Sequence, residues 1–117
     1  MIDVSAIDHI YLAQGFTDLR KGIDGYSALV AGTMQLDPFS NSLFLFCNRN
    51  KDKLKVLHWN GNGFWLFYKR LESGKLKWPK PNEQGVVYLS QQQLNWLLEG
   101  LDIYQKRAFK PMKNKVI

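Results

Sequence analysis

The stretch from Leu36 to Pro79, LDPFSNSLFLFCNRNKDKLKVLHWNGNGFWLFYKRLESGKLKWP, decides how the chain folds. Short apolar runs alternate there with turn-forming residues. Leu43 to Cys47 predicts a strand, and the polar residues Asn48 to Asp52 connect it to a second over Lys53 to Trp59. Asn60-Gly61-Asn62-Gly63 then offers two overlapping Asn-Gly signals for a primed hairpin turn. Phe64 to Leu71 predicts a third strand, Ser73-Gly74 a turn, and Lys75 to Trp78 a fourth strand stopped by Pro79 and Pro81. Hairpin connections in succession predict an antiparallel meander.

Upstream, His9 to Ala13 predicts a short strand ending at Gly15. Thr17 is placed to cap a helix over about 18–34, whose stripe is Leu19, Ile23, Tyr26, Leu29, Val30 and Met34. Gly22, Gly25 and Gly32 each weaken that helix by about 1 kcal/mol relative to alanine. Pro38 ends it by forcing Asp37 out of the helical region. Downstream, Val86 to Leu89 predicts a further strand. Ser90 with Gln93 forms a capping-box pattern for a helix running to about Tyr104, with Leu94, Leu97, Leu98 and Leu101 on one face. The expected fold is a single α+β domain over residues 1–105. It combines an antiparallel meander sheet of four to six strands with two main helices on one face. Residues 106–117 read as a basic, extended tail.

The net charge of +6 is segregated. Residues 49–81 hold nine Lys or Arg against two acids, residues 1–48 and 82–105 are each net acidic, and the tail is purely basic. Alternation along Lys53–Trp59 puts Leu54, Val56 and His58 on one face and Lys53, Lys55, Leu57 and Trp59 on the other. Phe64, Leu66, Tyr68 and Arg70 likewise oppose Trp65, Phe67, Lys69 and Leu71. If one face packs on the helices, the other keeps aromatics rimmed by cations, a surface that stacks bases and neutralises phosphates. Exposed aromatic patches also mark protein interfaces; the charge favours nucleic acid. The candidate DNA contacts are Arg49, Lys51, Lys53, Lys55, Trp59, Trp65, Lys69, Arg70, Lys75 and Lys77.

Other chemistry is thinly represented. The start of the chain lacks the basic and apolar regions of a secretory signal, and no apolar run approaches the roughly 18 residues of a membrane span. A soluble, intracellular protein is expected. Cys47 has no partner for a disulfide or a Cys-pair metal motif and reads as a small buried apolar residue. His9 and His58 lack ligands at metal-binding spacing, and there is no Gly-rich phosphate loop. Neither cofactor nor metal is expected, and the scattered carboxylates read as caps and turn residues rather than a two-metal nuclease site. Asp18, Arg20, Lys21 and Asp24 form a mixed-charge cluster on the polar side of the first helix. Arg20 and Asp24 are spaced to pair at i, i+4, and the cluster suits a protein partner better than a phosphate backbone.

The segments Ile10 to Val30 (IYLAQGFTDLRKGIDGYSALV), Leu36 to Pro79 and Leu89 to Asp102 (LSQQQLNWLLEGLD), in this order, resemble the small accessory protein of IS66-type bacterial insertion sequences. The likeness covers about residues 9–104. It implies a protein needed for transposition beside a separate, larger transposase that carries the strand-transfer chemistry. It further implies a cytoplasmic bacterial setting and no catalytic residues of its own. The expected role is a non-enzymatic, DNA-binding accessory factor. A protein-only adaptor within the transposase complex and a metal-dependent nuclease are the competing classes.

Overall fold

Residues Ser42–Cys47 form strand β2, and all six of its side chains are buried. A strand buried on both faces needs a covering layer on each side, and the rest of the chain supplies two. The computed structural model describes residues 3–83 and 86–105; the expected basic tail, 106–117, lies outside the described residues. Around β2 are β1 (His9–Ala13), α1 (Ile23–Gly32), β3 (Lys53–Trp59), β4 (Phe64–Arg70), β5 (Val86–Leu89) and α2 (Gln91–Leu98). The sheet order is β4-β3-β2-β1-β5. The fold is α+β, in one domain.

Two expectations about the sheet are corrected. It is mixed rather than antiparallel, because β1 pairs parallel with β2, His9 opposite Ser42 and Leu12 opposite Leu45, while every other neighbour pair is antiparallel. The segment between β1 and β2 contains α1 and is long enough for the crossover that parallel strands require. The helices also lie on opposite faces, because each face of β2 is apolar. Ile10, Leu12, Leu43, Leu45, Cys47 and Leu54 join Leu94 and Leu97 of α2 in one core. Tyr11, Phe44, Phe46 and Leu57 join Tyr26 and Val30 of α1 in the other.

The helices are shorter than their stripes suggest. Asp18, expected in the first helical turn, instead accepts the Arg20 backbone N–H at 2.9 Å, closing a side-chain turn that competes with helix. The helix therefore starts after Gly22, whose backbone is extended, and Thr17 is not its cap. α2 has its expected capping box, Ser90 and Gln93 each bonding the other's backbone. It ends well before Tyr104 because Gly100 adopts φ 84°, with its N–H bonded to Leu97 O and that of Leu101 to Trp96 O. This left-handed glycine terminator closes the helix even though Leu101 continues the apolar spacing.

Lys75 to Trp78 is not a strand. Leu76 and Trp78 are buried in the α2-side core, where Leu76 donates to Lys51 O and the Trp78 indole N–H to Ala13 O at 3.1 Å. Two anchors so far apart draw the segment away from β4. That leaves β4 as an edge of the sheet.

Phe44, fully buried and stacked on Tyr11 at 5.4 Å, should be the costlier loss: Phe44→Ala is expected to destabilise by about 3–5 kcal/mol, against about 0.5 kcal/mol or less for half-exposed Tyr88→Ala, read by denaturant unfolding. Alkaline pH probes the same two cores. Burial pushes the Cys47 thiol from its ordinary 9.0 up to about 12. Burial, then the Asp18 charge, pushes the Tyr26 phenol from 10.0 up to about 12. Both are acids with raised folded values, so their contribution is complete below the unfolded values and is lost as pH rises from 9 towards 12. Unfolding free energy should fall across that window, and Cys47→Ala should flatten its lower part.

Candidate functional site

The turn joining β2 to β3 stands up as a rigid ridge. Asn48 knits it together: its side-chain oxygen accepts the N–H groups of Asp52 and Lys53, at 3.1 and 3.0 Å, and its amide donates to the Asp52 carboxylate at 2.6 Å. That last bond holds the Asp52 carboxyl below its usual range. Lys51, in this turn, has φ 61°, a left-handed conformation that costs a lysine about 1–2 kcal/mol. Strain of this kind collects at functional turns.

A basic cleft lies on each side of the ridge, and Arg49 and Asn50 border both. The first, about 850 Å³, runs between residues 16–20 and the open ends of β3 and β4. Its cations are Arg49, Lys53, Lys55 and Arg20. Lys55 Nζ donates to Lys21 O at 3.2 Å and lies 5.6 Å from the ring centres of both Tyr26 and Tyr68. This cation–π clamp fixes a flexible side chain at the cleft wall. Phe16, half-exposed, faces Arg49 and Lys51 at 5.8 and 5.9 Å. The second cleft, about 880 Å³, gathers Arg49, Lys51, Lys75, Lys77 and Lys80 against Trp78 and Tyr104. Lys75 is held there by its bond to Asn50 O at 2.8 Å. The acid facing this cleft is Asp102.

The sequence-derived sites divide accordingly. Arg49, Lys53 and Lys55 share the first cleft, and Lys51, Lys75 and Lys77 the second with Arg49. The remaining candidates do not join them on one aromatic face. Trp59 sits at the far end of β3, in a cluster with Phe39 and Phe64 at 5.0 Å from each. Trp65 pairs opposite His58, on the α2 side, and stacks on Phe67. Lys69 lies opposite Leu54 on that side too. Arg70 turns to Glu72 at 2.8 Å. Neither face of the sheet is left wholly open, because each carries a helix, although Trp65 and Tyr68 on the edge strand β4 remain exposed.

The mixed-charge cluster also moves. Asp18, Arg20 and Lys21 lie in the loop before α1, and Asp24 alone is helical. The expected Arg20–Asp24 pair is replaced by Arg20–Asp18, held by three side-chain contacts of 2.8–3.2 Å. Arg20's bonds keep the Asp18 carboxyl well below the usual range. Charged partner candidates and DNA candidates therefore border one cleft. Sequence reasoning passed over Phe16, Asn48, Tyr68 and Tyr104; the position of Phe16 beside Gly15, φ 73°, is the one local hint of an exposed ring.

Among the described residues no group of three or more His, Cys, Asp or Glu side chains could hold a metal ion. No described helix is long and apolar enough to cross a membrane. No solved structure matches the chain. Two relatives from Sinorhizobium fredii (strain NBRC 101917 / NGR234) do. The one described as uncharacterized protein y4hO is 35% identical over 105 residues, 89% of this chain and 90% of its own length. The one described as uncharacterized protein y4jC is 34% identical over 113 residues, 97% and 95%. The family model described as IS66 Orf2 like protein matches residues 8–108, which include β1 through α2 and both clefts. The chain belongs to the IS66 Orf2-like family and shares its accessory role in transposition.

Proposed function

We propose that the protein is a DNA-binding accessory factor of transposition that contributes no bond-breaking chemistry and acts beside a separate transposase. The observation that carries this reading is the strained ridge with a basic cleft on each side. Cations held by Asn50 O, Lys21 O and two tyrosine rings are pre-set rather than free to wander. Fixed cations lining a groove neutralise phosphates with less ordering cost than mobile ones. The half-exposed rings Phe16, Tyr68 and Tyr104 border the grooves, where an unpaired base has a π-face to stack on. Backbone contacts of this type carry affinity and position but not sequence. Recognition of particular element ends is therefore assigned to the transposase.

The Asp18–Arg20 pair favours a second reading, in which the rim of the first cleft meets the transposase itself. An acid among bases repels a phosphate chain but suits a protein surface.

Replacing Arg49, Lys53 and Lys55 together by alanine should lower affinity alike for unrelated DNA sequences. The slope of log affinity against log salt should flatten by about 0.9 for each lost contact. Lys69→Ala should leave affinity and slope unchanged; equal effects from both variants would refute the cleft assignment. Lys51→Gly should stabilise the fold by up to about 1 kcal/mol by relieving the left-handed strain, while weakening DNA binding. The adaptor reading is tested by exchanging the pair, Asp18→Arg with Arg20→Asp, which preserves net charge. Loss of transposase association with an unaltered salt slope would support it.

A further inference from the structure

We propose that two copies of this chain associate through β4, which pairs antiparallel with itself about a two-fold axis at Phe67. β4 is the long edge of the sheet. Its seven residues pair with β3 in unbroken register, and among the described residues no strand pairs on its other side. Proteins usually blunt such an edge by keeping it short, or with a proline, a bulge or charge. The opposite edge obeys this, β5 being four residues long. β4 does not: its first five residues, FWLFY, hold neither charge nor proline, and Trp65 and Tyr68 are 53% and 54% exposed.

A second copy fits because the strand complements itself. Directly opposed residues of an antiparallel pair share a face. Pairing centred on Phe67 sets Trp65 beside Lys69 of the partner subunit, Leu66 beside the partner's Tyr68, and Phe67 beside the partner's Phe67. Each Trp–Lys contact, made twice by symmetry, brings an ammonium to an indole face. Arg70 adds nothing, since its guanidinium is engaged by Glu72. Charge also selects the register, because centring on Lys69 would oppose two lysines. The axis stands perpendicular to the sheet, so the two sheets become one. The association stands or falls without DNA.

Sedimentation equilibrium of the full chain, free of nucleic acid, from about 1 to 100 µM, tests it. The mass should rise from 13.6 kDa towards twice that value with concentration. Trp65→Lys, at a half-exposed site, should weaken association at least about tenfold by opposing like charges. Adding Lys69→Trp to that variant should restore it. Oxidised Phe67→Cys should run as a covalent dimer and Trp65→Cys should not, the native Cys47 being buried. A wild-type mass fixed at 13.6 kDa over this range would overturn the proposal. So would a Trp65→Lys protein that associates as tightly as wild type.

Discussion

Six consecutive residues of β2, Ser42 to Cys47, have no side turned to water, and this double burial governs the arrangement of everything else. Phe44 and Phe46 demand an apolar layer on one side, while Leu43, Leu45 and Cys47 demand another. Burying a side chain of this size contributes about 1.5–3 kcal/mol. α1 and α2 divide the two faces between them, and Leu76 and Trp78 extend the α2-side layer. The polar members of the buried set are tied down rather than exposed: His58 Nδ1 lies 3.0 Å from Ser42 O, and the Ser42 hydroxyl bonds with that of Ser40.

Much of this was legible in the residues. Alternation and turn chemistry located β3 and β5 to the residue, and the Ser90–Gln93 pattern located the start of α2, because local hydrogen bonding and a period of two depend on near neighbours only. What local pattern does not carry is the partner across the sheet. β2 reads as an unbroken apolar run, the mark of a strand covered on both faces, and the expectation of both helices on one face left one of its sides bare. The stripe held from Tyr26 to Met34, but Ile23 is exposed and Leu19 precedes the helix, because Asp18 had a better acceptor role in a turn than in a helix. Lys75 to Trp78 carried a strand's composition, but the distant carbonyl of Ala13 claims the Trp78 indole.

The candidate site was legible as a segment and not as a surface. Segregated charge pointed to the region around Arg49 to Lys77, and the fold brings six of the ten candidate contacts together there. The spacing of those lysines along strands suggested a sheet face; their actual meeting place is the open end of the sheet, around the β2–β3 ridge. Loops built from residues far apart in sequence, 16–20 and 48–50, create the first cleft. Ring contacts such as Lys55 between Tyr26 and Tyr68 have no signature in the linear order.

The position of β1, between β2 and β5, also sets an order of assembly during synthesis. β1, α1, β2, β3 and β4 are all complete by Arg70, and their pairings need nothing that comes later. Apart from Val86, which packs at its margin, the core against α1 can therefore close before the later segments are in place. Its counterpart cannot. Ile10, Leu12, Leu43 and Leu45 wait on a bare sheet surface until Val87, Leu89, Leu94, Leu97 and Ile103 arrive to cover them. A chain ending before residue 86 would be a half-finished protein, nearly closed on its α1 side and adhesive on the other.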